Sequence, residues 1–492
     1  MRSTERSVDR SFLAIAMADT QRFAALPSWL TLAARPDSVS NLLVRSTPEF
    51  AAGTLRLDSC KIGGLRLNAT THTWSGSYTL TVITPATGQG HVVLLQGTLF
   101  PPGQPAPKHA RTDAPFGSAA WRRYLPALRL ELAIPSAVPD LPILPQLTDP
   151  DAARALLERA MRQCQPAYRD IQIQACVPEV LRYHPGLRAT VRYQLSYPAA
   201  RAATHAWPAA VIAKTYESDT GQHAYDGMRA LWRTPLASAE DVTIAEPIAY
   251  LPEIKLLIQG PVPAAQLLKT LIEAVIRDPS PAILAELDAA LRKTAVGLVA
   301  LHRTPTPTGP TYGWAEELAE VRRFADTLAA AAPVLAGAAT SLLAWLDVHA
   351  TATPPDAHVF AHGTFRPNQV LLHQGQVGLI DFDSWCSAEP ALDLALFLTS
   401  IKDIGLSVMS KATQRSGGAP VDVTVHIARV EAICDSFLAA YAMLMPVSRR
   451  RVALWEALDT FSLVLRSWDR VKPVRLANML FLLDQHIRRH LA

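Results

Sequence analysis

Apolar and polar residues alternate along several short segments in the first third of the chain. Residues 55–57, 65–67, 78–82 and 128–132 each place apolar side chains at every second position. A period of two is typical of a β-strand with one buried face. The pattern therefore predicts a β-rich N-terminal domain over residues 1–145.

A second group of strands is followed by a long helical region. Residues 177–183, 189–197, 209–216 and 254–258 have strand patterns, and residues 221–233 have helical spacing. Beyond residue 263 helical spacing dominates, with a β-like interruption at 370–372 and 377–380. The predicted helices there are 264–277, 281–302, 314–331, 338–350, 390–402, 423–444, 448–470 and 473–490. We therefore expect a small β-rich lobe at 146–262 and a helical lobe at 263–492.

Composition narrows the classes of protein to be considered. The 492 residues include 47 Lys and Arg against 43 Asp and Glu, a formal net charge of +4, and 49% are hydrophobic. This composition argues against global disorder, and the small net charge argues against nucleic acid or an anionic membrane as the main partner. The five cysteines form no C-x-x-C pair, which argues against a disulfide framework and a cysteine-rich zinc site.

Two apolar stretches could be mistaken for export or membrane signals. The run after Phe12 is about six residues long, shorter than the ~7–15 of a secretory signal. Residues 328–346 carry no charge but contain Pro333 and Gly337, so we interpret them as a helix–turn–helix inside a soluble domain. We expect a cytoplasmic protein without membrane contact.

The most informative stretch is residues 359–398. It contains a polar loop, a hairpin, Asp381 and Asp383 at the end of an apolar strand, and then a helix with Asp393. Aspartates in such a place are costly to bury unless they bind a cation or hydrogen-bond donors. If the strand continues, Asp381 and Asp383 share a face and approach one ion; if the chain turns at Phe382, they diverge and only one is a ligand.

Three short motifs follow one another in this stretch: His362-Gly363, Ile380-Asp381 and Asp393-Leu394-Ala395. In order and spacing they resemble the catalytic loop, the metal-binding strand and the following helix of the aminoglycoside phosphotransferase family, whose fold is that of the eukaryotic protein kinases. Upstream, residues 210–214 resemble the third strand of the small lobe, and residues 298–302 resemble the L-x-x-L-H helix end. The resemblance covers roughly residues 150–450. It implies an α+β, protein-kinase-like bilobal fold, here preceded by the β-rich N-terminal domain.

The resemblance also implies roles for particular residues. Phosphoryl transfer needs positioning and charge neutralisation more than covalent help from the protein. Asp381 is then the Mg²⁺ ligand and Lys214 the cation on the ATP phosphates. The linker that begins at Gln259 offers backbone groups to adenine, and Asp393 orients the catalytic loop.

Within that loop, the chain departs from the family at two positions. Thr364 stands where the family has its catalytic aspartate, and Gln369 stands where it usually has a metal-binding asparagine, with Asn368 one place early. Gln369 keeps a carbonyl ligand on a longer arm. The candidate catalytic residues are His362, Thr364 and Asp381, and the candidate metal ligands are Gln369 and Asp381.

The small lobe departs from the family as well. The turn at residues 184–188 has only Gly186, so a backbone cradle for phosphate is sparse. The helix after Lys214 offers no glutamate, and Asp226 is a shorter candidate partner.

Two main functions follow from these residues. The first is a phosphotransferase that uses ATP and Mg²⁺ to phosphorylate a sugar, amino-sugar or amino-alcohol hydroxyl. We expect it to be slow, because a general base is worth ~10²–10⁴ in rate. A more acidic substrate hydroxyl, or Asp383 or His358 as a candidate substitute base, would compensate for the missing aspartate. The alternative is a nucleotide-binding pseudokinase that acts as a regulatory or scaffold protein. A third hypothesis keeps the fold without ATP binding.

Overall fold

The computed structural model of this chain describes residues 2–105, 114–135, 141–184, 188–202, 205–240, 242–305, 309–415 and 423–491. Its elements are numbered in chain order. The helices are α1 Arg2–Thr20, α2 Ser28–Ala33, α3 Pro36–Ser46, α4 Pro48–Ala51, α5 Leu144–Thr148, α6 Pro150–Cys164, α7 Ala199–Ala202, α8 Thr220–Trp232, α9 Leu268–Arg277, α10 Pro281–His302, α11 Trp314–Ala331, α12 Thr340–Thr351, α13 Ala391–Arg415, α14 Val423–Leu444, α15 Arg449–Asp469 and α16 Pro473–His490. The strands are β1 Arg56–Ile62, β2 Arg66–Asn68, β3 Thr73–Thr84, β4 Gln89–Leu99, β5 Arg122–Leu125, β6 Leu130–Ala133, β7 Ala175–His184, β8 Arg188–Ser196, β9 Ala210–Thr215, β10 Val242–Ile244, β11 Pro247–Leu251, β12 Leu256–Gln259, β13 Gln266–Leu267, β14 Val359–Ala361, β15 Val370–His373, β16 Gln376–Leu379 and β17 Cys386–Ala388.

The chain packs as two compact, discontinuous units. Unit 1 consists of Met1–Ala137, Trp314–Pro354 and Glu456–Ala492, and unit 2 consists of Val138–Gly313 and Pro355–Trp455. The sequence-based boundaries 1–145, 146–262 and 263–492 follow the chain instead, and they stay predictions.

Unit 1 contains a six-stranded antiparallel sheet. Its order is β1-β3-β4-β6-β5, with β2 on β3, and the long β3–β4 hairpin pairs Trp74 with Leu99 through Thr84 with Gln89. Alternate residues of β4 face the core, as the period of two predicts. Helices α1–α4 precede the sheet, and the alternation analysis did not predict them. Leu128 lies in a short 3-10 turn before β6, so the predicted strand 128–132 starts too early.

Unit 2 begins with a five-stranded antiparallel sheet of order β11-β12-β9-β8-β7. Val191, Tyr193 and Leu195 of β8 and Val211 and Ala213 of β9 are buried in one core with α6. The intervening residues of β8 and β9 lie on the opposite face and are half-buried or exposed. One face of this small sheet therefore packs against α6, and the opposite face is not part of that core.

The helical part of unit 2 follows the sheet. Helix α10 begins where the Ser280 side chain accepts a hydrogen bond from the amide of Ile283, and Pro281 occupies its first turn. Helix α13 is buried over most of its first three turns, including Asp393. A sheet of order β10-β16-β15-β13 and the antiparallel pair β14–β17 hold the loop and hairpin of residues 359–388. This small sheet followed by a helical lobe confirms the predicted α+β arrangement.

The apolar stretch at residues 328–346 has the predicted helix–turn–helix structure in unit 1. Helix α11 ends at Ala331, a 3-10 turn follows at Pro333–Leu335, and α12 begins at Thr340. Within the described part of the chain, Pro333–Thr351 is the one stretch long and apolar enough to be a candidate membrane span.

Candidate functional site

Lys214 is positioned by strand β9, on the face of the small sheet that does not pack against α6. Its neighbours Ala213 and Thr215 are buried in the sheet, and the register pairs Lys214 with Thr190 of β8 and with Leu257 of β12. The Lys214 Nζ donates to Asp381 Oδ1 at 2.9 Å and lies 3.9 Å from Asp383 Oδ1. The predicted pair of an ammonium and a carboxylate is therefore in direct contact.

The two aspartates lie on a tight turn that follows β16. Asp381 has a left-handed backbone (φ 76°, ψ 54°), and Phe382–Ser384 form one 3-10 turn. A non-glycine residue rarely adopts this conformation, which the surrounding structure must enforce. The chain thus turns at Phe382, yet the two carboxylates do not diverge, because both lie within 4 Å of the same ammonium.

The pKa values of Asp381 and Asp383 shift in opposite directions. Burial alone would raise the pKa of Asp381, but the charge and hydrogen bond of Lys214, with a hydrogen bond from Gln369, bring that pKa below its ordinary value. The pKa of Asp383 is raised, because burial and the negative charge of Asp381 outweigh Lys214. Burial lowers the pKa of Lys214, but the two carboxylates overcome this effect and raise it. Asp381 is therefore the carboxylate that stays ionised most readily.

Asp393 fixes the backbone of the predicted catalytic loop. Its carboxylate accepts hydrogen bonds from the amides of His362 at 2.6 Å and Gly363 at 2.9 Å, and from His302 Nε2 at 3.1 Å. The carboxylate and the imidazole of His302 are fully buried, and His302 Nδ1 lies 2.7 Å from the hydroxyl of Tyr441. The geometry agrees with the expectation that Asp393 orients the loop.

The buried side chain of His362 also holds the catalytic loop in place. Its Nε2 donates to the carbonyl of Ile380 at 3.0 Å, and its ring packs on Phe382 with centroids 4.9 Å apart. A side chain held in this way joins the loop to the residue that follows β16. Its role in catalysis stays a prediction.

Gln369 and Thr364 lie beside Asp381. The Gln369 Nε2 donates to Thr364 Oγ1 at 3.3 Å and to Asp381 Oδ2 at 3.4 Å. The Gln369 Oε1 is buried and has no hydrogen-bond partner among the described residues. A buried acceptor without a partner costs free energy unless a ligand satisfies it.

The side-chain oxygen atoms of Asp381 and Gln369 fit a magnesium ion as ligands. Carboxylate and amide oxygens are ligands that Mg²⁺ prefers, and it usually takes one or two carboxylates together with phosphate oxygens and water. Asp381 supplies a carboxylate and Gln369 the unsatisfied carbonyl oxygen. Among the described residues, no cluster of three or more His, Cys, Asp or Glu side chains forms an all-protein metal site.

The linker and the partner predicted for Lys214 have different outcomes. Gln259 is buried at the end of β12, and the amide of Gly260 donates to the carbonyl of Glu246 at 2.8 Å. Contact of this linker with adenine stays a prediction. Asp226 accepts a hydrogen bond from Gln222 on the exposed side of α8, so it is not the partner of Lys214; Asp381 is. In the turn 184–188, residues 185–187 lie outside the described residues.

The sequence analysis did not identify Tyr216 as part of this site. The Tyr216 hydroxyl donates to Asp383 Oδ1 at 2.9 Å. Tyr216 follows Lys214 by two positions, so the period of two in the strand would have placed both on one face.

A second missed feature holds helix α8 against the turn. Trp385 Nε1 donates to the carbonyl of His223 at 2.7 Å, and His223 Nε2 donates to the carbonyl of Trp385 at 2.8 Å. Their rings stack 4.6 Å apart, and Phe360 stacks on Trp385 at 5.1 Å. Gly227 leaves room for the indole, because a Cβ there would overlap it. This contact fixes α8 in a chain that lacks the glutamate partner of Lys214.

Part of this chain is similar to a known protein family. Residues 213–422 match the model of the phosphotransferase enzyme family. This match includes Lys214, Thr364, Gln369, Asp381 and Asp393, and it confirms the predicted family resemblance and kinase-like fold. None of the curated proteins matches the chain.

Several solved structures are similar at low identity. Glucosamine kinase (crystal form A) is 16% identical, covering 94% of this chain and 99% of its own, with a TM-score of 0.46. The GDP and kanamycin complex of APH(2″)-IIia is 14% identical, covering 68% of this chain and 98% of its own, with a TM-score of 0.40. Choline kinase from Cryptosporidium parvum Iowa II is 12% identical, covering 68% of this chain and 95% of its own, with a TM-score of 0.42.

Proposed function

We propose that unit 2 is an ATP-dependent phosphotransferase that moves the γ-phosphate to a hydroxyl of a sugar, amino-sugar or amino-alcohol. The observation that carries this proposal is the contact of Lys214 with Asp381 at 2.9 Å beside the unsatisfied Gln369 Oε1. These are the charges and ligands that a triphosphate and its metal require.

Each residue then has a defined task. Lys214 exchanges part of its contact with Asp381 for the phosphate oxygens of ATP. Asp381 and Gln369 hold Mg²⁺, which when bound neutralises the charge of the phosphates. Asp393 keeps the backbone of His362 and Gly363 in place. Gln259 lies in the strand that leads to the linker proposed for adenine.

Thr364 sets the rate in this proposal. Its hydroxyl accepts a hydrogen bond from Gln369 and cannot take a proton from the acceptor at neutral pH. A positioned general base contributes ~10²–10⁴ in rate, so we expect slow turnover with intact nucleotide binding. His358 is not held as a substitute base, since among the described residues it has only a 3.5 Å contact with the hydroxyl of Ser387 on the exposed surface.

A regulatory or scaffold pseudokinase is the second candidate function. It is favoured by the same observation, a threonine at the position of the base beside intact groups for nucleotide and metal. For either function we propose a cytoplasmic protein with a hydroxylated small molecule as acceptor or ligand and with no nucleic-acid or membrane partner.

Thermal unfolding with and without Mg·ATP tests nucleotide binding. We expect Mg·ATP to raise the melting temperature of the wild type and not that of Asp381→Ala. Asp484→Ala, which removes a half-buried carboxylate of α16 that pairs with Arg488, is the matched control and should respond like the wild type. A wild type without any shift would remove both candidate functions.

Turnover separates the two candidates. ATP consumption is measured over a panel of sugars, aminoglycosides and amino alcohols. Consumption that depends on one acceptor supports the enzyme, and nucleotide binding without consumption supports the pseudokinase. Thr364→Asp should raise any measurable turnover; an unchanged rate would mean that another group is the base.

A further inference from the structure

Arg188 lies on the same face of the small sheet as Lys214. The β8–β9 register pairs Thr190 with Lys214, and the amide of Ala189 donates to Thr215 Oγ1 at 2.7 Å. Continued by two residues beyond the Thr190–Lys214 pair, the register sets Arg188 opposite Tyr216. Directly paired residues and residues two apart in a strand share a face. Arg188, Thr190, Lys214 and Tyr216 therefore form one patch.

Arg188 does not lie on the face of these strands that packs against α6. Ala189 and Val191 are buried in the core with α6, whereas Arg188 is exposed. Its guanidinium consequently lies at the open edge of the patch whose other end is the Lys214–Asp381 contact.

The charge of Arg188 acts on the groups of the site. Burial dominates the raised pKa values of Tyr216 and Asp383, and the positive charge of Arg188 opposes the rise at both. The same charge works against the raised pKa of Lys214. Among the described residues Arg188 forms no salt bridge, in contrast to Lys214, which has two carboxylates within 4 Å.

A triphosphate needs more positive charge than Lys214 alone provides. The sequence between β7 and β8 contains the single glycine Gly186, so it lacks the run of glycines that is typical of a phosphate cradle. A guanidinium presents several donors in a fork that matches phosphate oxygens. Arg188 is the first residue of β8 and faces the site.

Resting on the proposed function, we propose that Arg188 is a phosphate-binding residue that replaces the glycine-rich cradle. Its guanidinium donates to non-bridging oxygens of the nucleotide's terminal phosphates, while Lys214 contacts the same chain from the base of the patch. The nucleotide is then held by two cationic side chains and not by a loop backbone.

The test compares affinities for Mg·ATP, Mg·ADP and adenosine by isothermal titration calorimetry. Arg188→Ala removes charge-assisted hydrogen bonds, so we expect its affinity for Mg·ATP to fall about 10- to 100-fold. Adenosine, which has no phosphate, should bind as to the wild type. Arg188→Lys keeps the charge without the fork and should restore part of the loss.

Arg159→Ala is the matched control. Arg159 is exposed on α6, which packs on the other face of the same sheet, and its removal changes the net charge equally. We expect its nucleotide affinities to equal those of the wild type. Equal thermal stability of the variants without ligand shows that folding is not what differs.

Two results distinguish the failures. A wild type that binds Mg·ATP while Arg188→Ala binds it equally well overturns the role of Arg188 and leaves the proposed function standing, as does an equal loss for adenosine. A wild type that binds no nucleotide overturns both proposals.

Discussion

Asp393→Asn tests how the catalytic loop is held. The carboxylate accepts from the amides of His362 at 2.6 Å and Gly363 at 2.9 Å and from His302 at 3.1 Å. An asparagine of the same size has one carbonyl oxygen, so its NH₂ group must face at least one of these donors. The change leaves a buried donor without an acceptor in a site that excludes water.

The size of the effect follows from those bonds. Losing one charge-assisted hydrogen bond costs about 1.5–3 kcal/mol, more if the orphaned donor stays buried. If the loop amides exchange by local opening, their exchange should accelerate roughly 10- to 150-fold, since 1.4 kcal/mol is a factor of ten.

Amide hydrogen exchange followed by mass spectrometry measures this effect on the peptide that contains His362 and Gly363. Asp484→Asn, which alters a half-buried carboxylate paired with Arg488 on α16, is the control and should leave that peptide unchanged. Unaltered exchange in Asp393→Asn would refute the conclusion that this carboxylate holds the loop.

Three further predictions concern packing and burial. Trp385→Ala removes an indole stacked between the rings of His223 and Phe360, so the free energy of unfolding measured in urea should fall by about 3–5 kcal/mol. The fall should be smaller for Trp385→Phe, and equal falls for the two variants would contradict a role for the stack. Gly363→Ala adds a Cβ that overlaps a backbone carbonyl at φ 79°, so its melting temperature should fall, whereas Gly64→Ala meets no atom within 4 Å and should keep it. Burial raises the pKa of Cys386 from 9.0 to about 12, so at pH 8 its thiolate is roughly 10³-fold scarcer than that of a thiol with the ordinary pKa. Labelling of Cys386 by a thiol reagent should therefore be slow, should speed up as pH rises, and should be slower than labelling of the half-buried Cys60. Rapid labelling of native Cys386 at pH 8 would contradict its burial.

Long periodic helices were predicted well because their ends carry local signals. The bounds 281–302, 314–331, 423–444 and 473–490 are those of α10, α11, α14 and α16. Pro281 and Pro473 in the first turns mark two of these starts without any tertiary information.

The site was predictable only in part. Lys214 and Asp381 were identified from the resemblance to the aminoglycoside phosphotransferase family, and the structure brings them into contact. The left-handed backbone of Asp381 and the mutual hydrogen bonds of His223 and Trp385, 162 positions apart, have no signature in periodicity. Such contacts arise from tertiary packing, which overrides local pattern. The discontinuous units have the same cause.

The central claim is that Lys214 and Asp381 bind a triphosphate together through a divalent ion. Calorimetric titration of ATP with and without Mg²⁺ into wild type, Lys214→Ala and Asp381→Asn tests it most directly. We predict that Mg²⁺ strengthens ATP binding to the wild type, that Asp381→Asn loses this strengthening, and that Lys214→Ala binds ATP more weakly in both conditions. ATP affinities that are the same in all three proteins, with and without Mg²⁺, would contradict the account.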